Sequence, residues 1–180
     1  VYALRDGTMG WHLAGLQLDR GPGGTEAPHP SPEALARARQ GVAGVAARFG
    51  VKTVTWDELS RWREDGTRSL FLFDVRSPGE YEAGHLAGFR SAPGGQLVQT
   101  ADNFFGVRNA TLVLADSDGV RATMSASWLI QSGWTSVYVI DIAGVNEPRI
   151  TGAEAPATPL AFDRLKADCI SAGELKALLD

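Results

Sequence analysis

Cysteine is almost absent. Cys169 stands alone among 180 residues, which excludes a disulfide framework and favours a reducing compartment, the cytoplasm, as the setting. Positive charge is not in excess either: 17 Lys and Arg against 21 Asp and Glu give a net charge of -4. The chain has no basic field with which to neutralise phosphates, so no nucleic-acid partner is expected. Long apolar runs are also missing. Uncharged runs such as Leu70 to Phe73 and Thr111 to Ala115 fall far short of the roughly 20 residues that cross a bilayer, and no membrane partner is expected. What remains is ordinary for a globular protein, with 44% hydrophobic and 21% charged residues and a length that fits one domain plus appendages. Because it opens at Val1 and stops at Leu178-Leu179-Asp180 in mid-pattern, the chain reads as a fragment of a longer protein.

Along the chain, Val1-Tyr2-Ala3-Leu4 reads as a short strand, and Asp6-Gly7 turns it into an apolar stub ending at Gly15. Arg20 to Pro30 is rich in Gly and Pro without periodicity, the composition of a linker. Ser31 then offers an N-cap and Pro32 a first helical residue. Leu35, Val42, Val45, Ala46 and Phe49 follow at helical spacing, predicting a helix that ends before Gly50. From Lys52 the pattern alternates. Thr53-Val54 is a minimal strand, and Thr55 with Glu58 forms a capping box opening a helix through Leu59 and Trp62. Leu70-Phe71-Leu72-Phe73 is a strand buried on both faces. A short helix at Pro78 to Tyr81, a loop, a strand from Thr111 to Ala115, a helix from Gly119 to Gly133 and a strand from Ser136 to Ile140 complete the series. Strand and helix in alternation predict an α/β domain with a small central parallel sheet flanked by helices on both faces.

The chemistry-bearing stretch is Asp74-Val75-Arg76-Ser77-Pro78-Gly79-Glu80-Tyr81-Glu82-Ala83-Gly84-His85-Leu86-Ala87-Gly88. It resembles the signature that follows the second strand of rhodanese domains, and the resemblance extends from about Thr53 to Asp141. It implies an active-site loop after a later strand, with a nucleophilic cysteine and an arginine five residues on. That loop corresponds here to Asp116-Ser117-Asp118-Gly119-Val120-Arg121, so the resemblance puts Asp116 at the nucleophile position. Asp74, Arg76, Glu80 and His85 are its supporting residues. A persulfide needs a soft thiolate, which a carboxylate cannot replace, and no catalytic residue is therefore expected. The Asp116 carboxylate is instead expected to accept hydrogen bonds from the loop amides and fill an anion site from within.

Tandem rhodanese repeats belong to the same family picture. Val1 to Gly15 is similar to the end of a repeat, and Ile170-Ser171-Ala172-Gly173-Glu174-Leu175 is similar to Val54 through Leu59, the start of one. The expected organisation is a preceding repeat's tail at 1–21, linker and connector helix at 22–50, a complete domain at 51–149, a linker at 150–169 and the head of a following repeat at 170–180. The implied parent is a multi-domain thiosulfate sulfurtransferase in which this domain is non-catalytic and has a structural or regulatory role. Two alternatives stay open. One is residual sulfurtransferase or anion-binding activity through Arg121 and the loop amides. The other is a magnesium-dependent aspartyl phosphatase, because Leu112 to Val120 also resembles the first motif of haloacid-dehalogenase-type enzymes; the only lysines after Asp118, Lys166 and Lys176, lie outside the domain. No cofactor and no metal are expected. The expected partners are adjacent repeats of the same chain, a small anion at the loop, and further copies of the chain through its terminal segments.

Simpler roles compete at each position. Asp74 and Arg76 suit backbone bracing, His85 suits a hydrogen-bonded turn, Cys169 suits apolar packing, and Trp11, Trp56, Trp62, Trp128 and Trp134 suit core or interdomain packing.

Overall fold

The computed structural model describes residues 3–18, 30–155 and 170–179, and the chain divides into two units, Val1–Ala38 and Arg39–Asp180. In the first unit Asp6 (φ 59°) and Gly7 (φ 56°) take left-handed backbone conformations. The chain then passes into helix α1 (Gly7–Leu13), which buries no residue. Ala3 and Leu4 are not in a strand: two apolar residues before an Asp-Gly turn have no ladder to join. Val1, Tyr2, the 19–29 stretch and Cys169 lie outside the described residues. Helix α2 (Pro32–Phe49) begins where Ser31 Oγ accepts from the Ala34 amide at 3.2 Å, and it stops before Gly50 (φ 66°).

The second unit is built on a parallel sheet of five strands in the order β1 (Lys52–Thr53), β6 (Val137–Asp141), β5 (Thr111–Asp116), β2 (Leu70–Asp74) and β4 (Arg90–Ser91). The central strand β5 is buried along its whole length, which accounts for its continuous apolar sequence. Alternation along it separates two cores. Leu112 and Leu114 pack with Leu97 of α5 (Gly94–Gln99) and with Ala122, Ala126 and Leu129 of α6 (Val120–Gln131). Val113 and Ala115 point the other way, to Leu59 of α3 (Trp56–Asp65) and to Ile140. Helices thus cover both faces of a small parallel sheet, as the alternating pattern predicts.

Between α4 (Pro78–Ala83) and β5 the chain is more structured than the single loop the sequence suggests. It holds β3 (His85–Leu86), β4, α5 and a 3-10 turn at Ala101–Asn103. Strand β3 pairs antiparallel with β7 (Arg149–Ile150). Glu154 reaches back to the Ser91 amide at 2.9 Å and to Arg90 Nε at 2.7 Å. Residues 149–154 thus contact β3 and β4 through the β7 pairing and the Glu154 carboxylate. The last helix, α7 (Ala172–Leu179), buries no residue. Among the described residues no helix is long and apolar enough to cross a membrane.

Candidate active-site loop

Strand β5 delivers Asp116 to the end of the sheet where ligands gather in parallel α/β folds. The chain then turns at Gly119, whose φ of 77° is the left-handed conformation that an L side chain resists, and enters α6. Residues 116–121 are brought together as one loop. Asp116 is fully buried; its Oδ1 accepts from the Gly119 amide at 2.7 Å and its Oδ2 from the Ala122 amide at 2.9 Å. Asp118 Oδ1 accepts from the Val120 amide at 2.8 Å. The amides at the start of α6, where an external anion would be held, are in these three cases engaged by carboxylates of the chain itself.

Arg121 does not reach toward Asp116. Its two terminal nitrogens donate to both oxygens of Glu80, at 2.7 and 2.8 Å, in the bidentate geometry that makes such pairs strong. Glu80 is fixed from the other side as well, accepting from the amide and hydroxyl of Ser77 at 2.9 and 2.7 Å in a capping box that opens α4. The Arg121 guanidinium, with Ser77, holds the Glu80 carboxyl down to about 2 against partial burial. Burial pushes the Asp116 carboxyl the other way, up to about 6; the Ala122 and Gly119 amides oppose this and the Asp118 charge adds to it. The site therefore holds two carboxyls of opposite character, Glu80 below its ordinary value and Asp116 above it.

The remaining residues of the signature brace one another. Arg76 donates from Nε and Nη2 to the two oxygens of Asp74, at 2.9 and 2.6 Å, and from Nη2 to the Gly84 carbonyl at 2.7 Å. Asp74 is 1% exposed and Arg76 9%, so the pair is buried with its hydrogen bonds made. His85 lies flat against Tyr81, ring centres 3.7 Å apart, with Nδ1 at 2.9 Å from the Tyr81 carbonyl. The Tyr81 hydroxyl donates to the Phe89 carbonyl at 2.9 Å.

Two features of the site had no counterpart in the sequence reading. Arg39, in the connector helix, donates from Nε to the carbonyl of Asp118 at 2.9 Å; nothing local to its sequence marks that contact. A cleft of about 780 Å³ also opens beside the loop, with Val75, Val98, Val120, Met124 and Trp128 as apolar walls and Arg121 as its one charged lining residue. Trp128 is 53% exposed and is not a core residue, whereas Trp62 and Trp134 pack edge-on against Tyr138 and Phe105. The spacing of Val120, Met124 and Trp128 on one side of α6 was the available signal for the cleft.

Residues 55–143 match the rhodanese-like domain family, and the fold is the rhodanese fold. The chain is similar to a solved thiosulfate sulfurtransferase from Pseudomonas aeruginosa, at 45% identity and a TM-score of 0.70 over 96% of this chain and 32% of that one. An uncharacterised protein of Bacillus subtilis, YqhL, is 34% identical over 88 residues, covering 49% of this chain and 65% of that protein. The polysulfide-sulfur transferase homodimer of Wolinella succinogenes shares the fold, with a TM-score of 0.50 at 16% identity over 64% of this chain and 88% of that one. The chain thus spans about a third of the Pseudomonas enzyme and less than two thirds of the Bacillus protein.

Proposed function

We infer that this domain is a non-catalytic rhodanese-like module of a multi-domain thiosulfate sulfurtransferase, with Asp116 standing where the nucleophilic cysteine would be, and that it acts structurally or as a regulator toward adjacent repeats. The observation that carries this reading is the engagement of Asp116. A buried carboxylate accepts from the Gly119 and Ala122 amides, donors that in a sulfur-carrying loop would face a thiolate and its persulfide. A carboxylate oxygen forms no sulfur–sulfur bond, and its charge repels thiosulfate, a dianion. The tandem arrangement is supported by the match to the Pseudomonas enzyme, which extends over 96% of this chain, well beyond residues 55–143. A reducing compartment such as the cytoplasm suits a chain with one cysteine.

The test is a thiosulfate-and-cyanide assay on the chain and on Asp116→Cys, with intact mass measured after thiosulfate treatment. The unsubstituted chain is expected to stay at the uncatalysed rate with no added sulfur. In Asp116→Cys a cyanide-displaceable sulfur adduct is expected at residue 116. Turnover by the unsubstituted chain would refute the reading and favour sulfur chemistry at another group.

A further inference from the structure

We propose that the cleft lined by α5 and α6 binds an uncharged, planar aromatic molecule whose polar substituent hydrogen-bonds to the Ser125 hydroxyl. At about 780 Å³ the cleft has the volume of a small-molecule site, and such sites combine apolar walls with a few polar groups that set orientation. The proposal does not depend on Asp116 being inert, because Asp116 is not one of the lining residues.

Ser125 supplies the polar group. It is 6% exposed, and its hydroxyl makes no hydrogen bond among the described residues. Its neighbours on α6 follow the habit of helical Ser and Thr, bonding back to a carbonyl about one turn earlier: Thr123 to Gly119 at 2.6 Å and Ser127 to Met124 at 2.7 Å. Among the described residues no sealed side-chain nitrogen or oxygen lacks a partner, so the Ser125 oxygen is not enclosed in the core and opens to the cleft that the residue lines. Gly94 faces it, and a Cβ at that position would collide with the hydroxyl. The Gly94 backbone is not left-handed, so glycine serves space here rather than conformation. A nearly buried hydroxyl kept clear in this way calls for a hydrogen-bond partner from outside the chain.

The walls select the rest of the molecule. Met124 and Trp128, 38% and 53% exposed, stand one turn apart on α6, and Val75, Val98 and Val120 complete the apolar lining. An indole and a thioether favour a flat ring over an aliphatic chain, since ring stacking and sulfur–aromatic contact add to the burial of apolar surface. Charge selects against an ion. Arg121 is the one charged lining residue, yet both its terminal nitrogens donate to Glu80, and Asp118 Oδ2 stands a further 3.9 Å from one of them. One guanidinium thus answers two carboxylates, and an anion meets repulsion at that rim. A cation would have to leave water for walls that hold no carboxylate.

The test is an NMR titration of the isotope-labelled chain with naphthalenecarboxamide, beside the matching naphthalene carboxylate and naphthylmethylammonium. Saturable shifts are expected at the amides of Gly94 and Gly95 and at the indole N–H of Trp128. Binding of the carboxamide is expected to weaken at least about tenfold in Trp128→Ala and about fivefold in Ser125→Ala. The two charged analogues are expected to bind at least about tenfold more weakly than the carboxamide. Circular dichroism checks that the variants fold, and Ser125→Cys, similar in size and a weak donor, takes the place of Ser125→Ala if that variant does not. Absence of saturable shifts, or undiminished binding in the variants, would overturn the proposal. So would carboxylate binding as tight as that of the carboxamide, which would make Arg121 an anion receptor. A dimer in sedimentation that Trp128→Ala dissociates would overturn it too, because the cleft would then be an interface between copies of the chain.

Discussion

Asp116 carries the strongest conflict in the molecule, a carboxylate with no solvent exposure beside a second acid, held by two amides. Its carboxyl titrates near 6, above its ordinary 3.8, so the folded state binds that proton more tightly than the unfolded state. The sign follows directly. Its contribution to stability is fully present below about pH 4 and is lost as pH rises through about 6, with an upper bound of about 3 kcal/mol. Glu80 has the opposite sign: held down to about 2 by Arg121, it stabilises the fold above about pH 4.5, and that contribution fades as pH falls toward 2. Denaturant midpoints across pH 3 to 8 should therefore decline between 4 and 6 in the unsubstituted chain. In Asp116→Asn that decline should vanish while the loss in stronger acid remains. The buried Asp74–Arg76 pair makes a different prediction. Arg76→Ala leaves Asp74 buried without its three guanidinium bonds and frees the Gly84 carbonyl, so a loss of about 3 to 5 kcal/mol in urea unfolding is expected.

At the scale of elements, repeated local chemistry made the fold legible. The Thr55–Glu58 box closes as expected, with the Thr55 amide donating to Glu58 at 3.0 Å, and the same device recurs at Ser77–Glu80. In α7 the Ser171 amide donates to Glu174 at 2.6 Å and the Glu174 amide to Ser171 Oγ at 3.2 Å. A capping box is short and sequence-local, which is why it can be read without a fold. The paired strands β3, β4 and β7 could not be, since each has two residues and exists only through a partner far along the chain. Helix α5 was hidden for a related reason: it opens with Gly94-Gly95, poor helix formers held in place by tertiary contacts. The Ser77 box also shows an element serving the site, because the oxygen of Glu80 that caps α4 is one of the two that bind Arg121. Ser77→Ala should therefore cost about 1 kcal/mol in thermal or urea unfolding. It should also raise the Glu80 carboxyl from about 2, a shift that carbon-detected NMR titration of the side chain would register.

At the scale of the second unit, the organising fact is that a parallel sheet separates two apolar clusters, one on each face. The sequence could show that β2 and β5 are buried on both faces, because an unbroken apolar run allows little else. It could not show which helix takes which face, a matter of crossover hand and strand order, or that Arg39 would reach the carbonyl of Asp118 from outside the domain's own pattern. The division predicts how damage should combine. Leu97 lies in the cluster under α5 and α6, while Ile140 lies in the cluster under α3. Leu97→Ala should cost about 2 to 5 kcal/mol and Ile140→Val about 0.5 to 1.5 kcal/mol. The double variant should show their sum to within about 0.5 kcal/mol, as for sites that share no partner. A coupling larger than that in urea unfolding would mean that the sheet transmits repacking from one face to the other, and the two clusters would then have to be treated as one core.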